Sequence, residues 1–360
     1  MWVDIKKTKQ VKIRDNEENS LKSLITDSWN EYLDEYDDNQ KDIYYSEEYV
    51  KLYKGKNDEA LCALCKEADN ILLLPYIRKE IDGFFDFETA YGYGGPIANT
   101  EDNEWINNAL KEMKKLFERE RYVCGFIRFH PLLNNAIICK NHMQVIFDRN
   151  TVFINTEMTE GEMWEYQITS KNRNMIRKAQ KNCLEYKAEY DFESLPQFIN
   201  LYNATMKRLG ADCFYYFNDS YYQAFADAFK GKAFLGTVKK GNELICAALF
   251  MYSNRYGHYH LEGSNYTYSK LAANNLLLWK TALEFHDLGI KEFHLGGGYD
   301  SNPENSLFKF KKSFSNFTKD FYIGKWIFNH KKYMELKNEW ADKNPDKSIK
   351  FGNLLLCYRY

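Results

Sequence analysis

Residues 232–262 read KAFLGTVKKGNELICAALFMYSNRYGHYHLE. Three apolar runs stand out in it, Lys232–Val238, Leu244–Ser253 and Gly257–Glu262, joined by short polar links. Such short links join antiparallel strands, so the stretch predicts a meander. Working upstream, Leu195–Lys207 and Asp219–Phe229 carry helical apolar spacing. Downstream, Ala272–Leu288 reads as a helix and Lys291–Leu295 as a strand. The order helix, helix, antiparallel meander, helix, strand predicts an α/β (α+β) lobe with a mixed, largely antiparallel sheet flanked by helices.

A similar order precedes it. Ala60–Cys65 and Ile71–Ile77, parted by polar Glu67–Asn70, predict a hairpin. Asn103–Arg121 repeats apolar residues at helical spacing, and Val123–Phe129 and Val145–Ile154 predict strands. The acidic stretch from Glu17 to Gln40 reads as helix-like segments. A polar junction at Met158–Gly161 divides two lobes of the same kind, 1–158 and 159–360, as 360 residues lead one to expect. No internal repeat shows in the residues themselves, so duplication rests on element order alone.

The net charge of -2 excludes nucleic-acid binding by a whole-protein field and leaves only local basic patches for a polyanion. The 28 Tyr and 25 Phe include candidates for stacking on sugars or bases. Cys62 and Cys65 lie in an apolar run with no second pair to complete a zinc site, so buried structural thiols are expected and no metal or cofactor is assigned. No signal-length or membrane-length apolar run occurs, which predicts a cytoplasmic protein. A lipid-linked substrate would then be met by peripheral membrane contact.

Four segments carry candidate chemistry. Tyr91-Gly92-Tyr93-Gly94-Gly95-Pro96 is a turn open enough for a ligand to approach its backbone, with Tyr91 and Tyr93 as possible stacking rings. On a helix Arg173, Arg177 and Lys181 form one cationic stripe with no interleaved acid, either a solvated face or a phosphate seat. A helix ending at Gly210 places Arg208 in its last turn and Tyr215 and Tyr216 beyond it. There Arg208 either compensates the helix dipole or anchors an anion. Finally His294-Leu295-Gly296-Gly297-Gly298 ends a strand, and Phe308, Lys309, Phe310 and Lys311 alternate as in a half-buried strand or turn. A lysine between rings suits a developing oxyanion. His258, His260 and Glu262 alternate along one predicted strand face, a spacing open to a metal, with satisfied polar residues the weightier expectation.

In order and spacing these segments resemble the Fem family, the aminoacyl-tRNA-dependent transferases that build peptidoglycan cross-bridges, within the wider GNAT-fold acyltransferase superfamily. The resemblance runs from about Ile71 to Lys325, with Phe321–Lys325 as the closing strand. It implies two GNAT-like lobes, with Phe310 and Lys311 at the acyl-transfer centre and Lys311 stabilising the donor carbonyl oxygen. It implies acceptor contacts from Arg208 and Tyr91; Tyr93, Tyr215, Tyr216, Arg173, Arg177 and Glu262 are further substrate-binding candidates.

The implied activity is amide formation on an amino group of a nucleotide- or lipid-linked glycan or muropeptide, with aminoacyl-tRNA as donor. The acidic residue that the family often carries after the Gly-Pro turn is absent, the nearest positions being Asn99, Glu101 and Asp102, so the general base stays unassigned. The long helical hairpin of larger members is also missing. An acyl-CoA-dependent N-acyltransferase is the alternative donor class, although His260–Lys270 lacks the paired glycines that usually cradle a pyrophosphate. A non-catalytic glycan-binding protein is the alternative of a different class.

Overall fold

The computed structural model describes residues 20–360; the N-terminal Met-Trp-Val segment and the Glu17 end of the acidic stretch lie outside them. Thirteen strands form one sheet. They are β1 (Lys22–Thr26), β2 (Glu59–Glu67), β3 (Asn70–Ile81), β4 (Phe84–Glu88), β5 (Ile97–Ala98), β6 (Tyr122–Arg128) and β7 (Gln144–Asn155). Then come β8 (Leu184–Glu189), β9 (Ala233–Lys240), β10 (Glu243–Tyr252), β11 (Tyr256–Ser264), β12 (Glu292–Gly296) and β13 (Thr318–Ile327). The helices that matter here are α1 (Glu47–Tyr53), α2 (Asn103–Arg119), α3 (Ser170–Lys181), α4 (Leu195–Leu209), α5 (Asp219–Ala228), α6 (Ala273–Asp287), α7 (Ser306–Lys312) and α8 (His330–Lys343). No described helix is long and apolar enough to cross a membrane.

The strand order β1-β2-β3-β4-β6-β13-β7-β12-β11-β10-β9-β8 is symmetric about its centre. Each half holds an antiparallel run that ends in one parallel pair, β4 with β6 and β11 with β12. Each half is closed by a strand drawn from the other part of the chain: β13 pairs β6, and β7 pairs β12. The two closing strands pair with each other, so no sheet edge lies between the halves. The two halves of the sheet thus share one pairing pattern, mirrored about its centre.

Sequence chemistry accounts for the layers. In α2, Trp105, Ile106, Ala109, Leu110, Met113, Leu116 and Phe117 form one buried stripe, and Asp102 caps the helix by accepting from Glu104 N and Trp105 N. Helix α6 buries residues around most of its circumference, because β8, β9 and β10 lie on one side and α3 on the other. A third cluster unites the halves: Tyr44, Tyr45 and Tyr49 pack with Phe198, Tyr202, Phe225 and Leu261. Cys62 and Cys65 belong to clusters on opposite faces of β2. They cannot share a metal, and burial raises both thiols.

Three sequence expectations need correction. Lys22–Thr26 is a strand on β2, although polar neighbours gave it a helical reading. Residues 306–312 form a helix, not a period-two strand: Asn305 caps it by accepting from Leu307 N and Phe308 N. The register between β10 and β11 slips at His260, so Tyr259 and Glu262 point to one face while His258, His260 and Leu261 point to the other. The two histidines and Glu262 therefore do not share a face.

A candidate active site between the two halves

Helix α7 is short and its cap turns Lys311 inward, where the residue is only 8% exposed. Its Nζ donates to Gly297 O at 2.8 Å and stands 5.7 Å from the centre of the Tyr259 ring. Gly296 has φ +76°, and a Cβ there would lie 3.3 Å from Lys311 Nζ and 3.6 Å from Tyr93 Oη. Any side chain would be strained by the backbone and would intrude between the two groups. Tyr93, from the Gly-Pro turn, and Lys311, of the Phe-Lys pair, thus approach the same glycine.

Tyr93 is held by a backbone fixed from several directions. Tyr45 Oη and Asn135 Nδ2 both donate to Gly94 O at 2.8 Å, Asn135 Nδ2 also reaches Pro96 O, and Gly94 N donates to Arg128 O at 2.7 Å. The Tyr93 ring lies edge-on to His294 at 5.0 Å and to Phe321 at 5.4 Å. Burial pushes its phenol up, so it remains a donor at neutral pH.

Lys311 has no carboxylate within ion-pairing distance among the described residues. The charge that acts on it is that of Arg149, which donates to Gly298 O at 2.8 Å and pairs with Asp148. Burial first, and Arg149 second, bring the Lys311 amine down to about 7.

Behind Tyr93 lies a buried polar hub. Asp42 accepts from His130 Nε2 and His258 Nε2, each at 2.6 Å. His130 Nδ1 accepts from Leu133 N, which fixes its proton on Nε2. Burial opposes ionisation of Asp42, but the two histidines outweigh it and hold the carboxyl well below the usual range. Donors on a tetrahedral zinc, at ~2.0–2.1 Å from the ion, would stand about 3.3 Å apart, so 2.6 Å marks hydrogen bonds. The rings of His258 and His294 are 5.7 Å apart, and His258 Nδ1 and His294 Nε2 have no hydrogen-bond partner among the described residues.

Phe310 faces the other way, into a cavity of about 300 Å³ lined also by Arg208, Ser264, Asn265, Tyr266 and Asn274. The cavity opens at the start of α6, whose cap residue Ala272 is left-handed and offers no side-chain acceptor to the first amides. The Arg208 guanidinium lies 5.0 Å over Tyr266. Glu262 is half-buried beside it and accepts from Asn274 Nδ2 at 3.1 Å; desolvation raises its carboxyl, opposed by hydrogen bonds and the Arg208 charge.

Tyr91 joins a separate aromatic wall, 5.5 Å from Phe214 and 6.3 Å from Tyr215, with Tyr215 and Tyr216 partly exposed. Arg173 instead donates to Trp164 O and to the Glu165 carboxylate, and Arg177 lies over Trp164. The stripe on α3 therefore braces the preceding turn and meets an acid that its own helix does not carry. Asp102 and Asn99 are also structural, as helix cap and as partner of Ile71 N. Sequence reasoning missed Arg149, Asp42 and His130, and it gave His294 no role of its own. The sequence gives no local sign of the hub, because Asp42 lies 88 positions from His130 and 216 from His258.

Residues 170–312 match the acetyltransferase (GNAT) domain family. No curated protein sequence matches the chain significantly. Among solved structures the chain is similar to FemX, with a TM-score of 0.69 at 15% identity over 87% of this chain and 99% of that one. It is also similar to the C-terminal DUF2156 domain of a protein described as a lysylphosphatidylglycerol synthetase from Agrobacterium fabrum, with a TM-score of 0.54 at 13% identity over 85% and 94%. A tandem GNAT protein from the clavulanic acid biosynthesis pathway gives 0.50 at 7% identity over 86% and 99%. The chain thus shares the fold of FemX, and its segment 170–312 matches the acetyltransferase (GNAT) domain family.

Proposed function

We propose that the protein, read as two GNAT-like lobes (1–158 and 159–360) that exchange closing strands, transfers an aminoacyl or acyl group to an amine on a cell-envelope precursor. The acceptor class is a nucleotide- or lipid-linked glycan or muropeptide, and the preferred donor is aminoacyl-tRNA. The observation that carries this reading is the approach of Tyr93 Oη and Lys311 Nζ to the same point above Gly296. Two donors from opposite halves suit the carbonyl oxygen of an ester whose charge grows during attack. Phe310 links that centre to the Arg208 cavity, where a guanidinium stacked on Tyr266 suits a phosphate. Glu262 acts there by orienting Asn274, while Tyr91, Tyr215 and Tyr216 offer ring faces to a sugar.

The acyl-CoA alternative draws support from the uncapped start of α6, because free amides at a helix N-terminus suit a pyrophosphate. The test is incubation of a UDP-linked muropeptide with charged tRNA or with acetyl-CoA, following amide formation by mass spectrometry. Product with charged tRNA alone supports the preferred donor, and product with acetyl-CoA alone overturns it. Binding of the muropeptide with no product from either donor leaves a glycan-binding protein.

A further inference from the structure

The site as described lacks an acceptor for the attacking amine's proton. Asn99, Glu101 and Asp102 do not supply it: Asn99 and Asp102 are committed elsewhere, and Glu101 is exposed. The strand-end turn at Gly296–Gly298 offers another group. Two basic side chains clamp its consecutive carbonyls, the Lys311 amine on Gly297 O and the Arg149 guanidinium on Gly298 O, each at 2.8 Å. The aliphatic stem of Arg149 also packs on Gly297, where a Cβ would lie 3.0 Å from Arg149 Cδ. Asp148 pairs with Arg149, whereas Lys311 has no ion-pair partner among the described residues. The other titratable groups facing Lys311 are Tyr93, Tyr259 and His294, all held neutral by burial. On its own helix Lys309 is turned to Glu304.

We propose that Lys311 is the proton acceptor for the attacking amine and that Arg149, held on the neighbouring carbonyl, is the positioning residue whose charge favours release of that proton between turnovers. The inference rests on the acyl-transfer reading above. As the acceptor nitrogen bonds to the acyl carbon, its proton passes to Lys311 Nζ. The new ammonium then stands beside the oxyanion and returns the proton to the leaving oxygen or sulfur as the ester or thioester bond breaks. One residue thereby serves as base and as electrostatic stabiliser. The burial and the depressed ionisation of Lys311 follow from the same geometry.

The test is a ¹³Cε NMR titration of ¹³C-lysine-labelled full-length protein, with Lys311 identified by loss of its signal in Lys311→Arg. Lys311 is expected to titrate near 7, well below the exposed lysines. Arg149→Gln is expected to raise the midpoint by about one pH unit. That shift would lower the unprotonated fraction at pH 7 about fivefold. Arg149→Lys keeps the charge and leaves the midpoint near that of the wild type. An ordinary lysine midpoint overturns the proposal, and equal shifts in the two Arg149 variants overturn the role of Arg149. The titration needs no substrate, so its failure in a chain that transfers acyl groups removes only the proton acceptor. A low midpoint in a chain that forms no amide removes the transfer reading and the proton's destination with it.

Discussion

Replacing Lys311 by Met should stabilise the fold while abolishing its chemistry. The amine is buried, has no counter-ion among the described residues and is depressed to about 7 from the ordinary lysine value of 10.5. Between those values the unfolded chain binds a proton that the folded chain does not, so stability rises with pH across that window. At or below pH 7 the folded state carries nearly the whole cost, ~3.5 units at 1.36 kcal/mol each, or about 5 kcal/mol. Methionine fills a similar volume without charge, but it forfeits the hydrogen bond to Gly297 O, worth about 1 kcal/mol, and leaves that carbonyl to find another partner. A net gain of about 2–4 kcal/mol at pH 7 is expected. The gain should shrink by about 1.4 kcal/mol per unit as pH rises, nearly vanishing by pH 9.5. Urea unfolding of both proteins at pH 7 and 9.5 measures it. A variant no more stable than wild type at pH 7, or a gap that does not narrow, refutes the claim that this lysine is held against the interest of the fold.

Acid should act through the buried histidines. His130, His294 and His260, the last lowered to about 3 mainly by burial, stay neutral when folded and take protons when unfolded. Stability therefore falls as pH drops below about 6.5. His260 alone should cost about 2.7 kcal/mol by pH 4.5, and urea unfolding of His260→Phe should show a slope reduced by about one proton. Asp42→Ala leaves two buried ring N–H groups without an acceptor and should cost about 2–5 kcal/mol in the same assay. Gly263→Ala would place a Cβ 2.4 Å from Tyr202 N and 2.6 Å from Leu201 C, backbone atoms of α4 that cannot yield. It should lose about 2–3 kcal/mol in chemical unfolding. Arg208→Ala should weaken binding of a UDP-sugar or CoA about tenfold in calorimetry, by loss of a charge-assisted contact.

Much of the fold was legible because period and sheet pattern agree. The runs at 60–65 and 71–77, the stripe of α2 and the glycine stop of α4 each appear in the structure within a few residues of their sequence bounds. Where the reading failed, a tertiary or capping effect outweighed local pattern. Lys22–Thr26 is a strand because β2 offers it an edge. Alternation at Phe308–Lys311 fits a strand, yet Asn305 starts a helix there, and three-residue spacing brings Phe308 and Lys311 to related faces. No strand pattern announces a one-residue bulge, so Glu262 was given the wrong face. The exchange of β7 and β13 depends on pairings 170 positions apart and leaves no local trace.

Of the site, the Gly-Pro turn, Arg208 and the Phe-Lys pair were marked by residue type, since glycines beside rings and unpaired cations are conspicuous. Arg149 was not, because an arginine followed by Asn-Thr in a strand looks like any solvated edge. Only the fold sets it on the carbonyl next to the one that Lys311 holds.

The central claim is that Lys311 works on an acyl group delivered between the two halves. It is tested most directly by mass-spectrometric detection of amide on a UDP-linked muropeptide, comparing wild type with a folded Lys311→Met protein supplied with charged tRNA and with acetyl-CoA. Amide in the first and at least a hundredfold less in the second is predicted, matching the loss of ~10²–10⁴ typical of a removed acid–base group. Equal product from both proteins would contradict it.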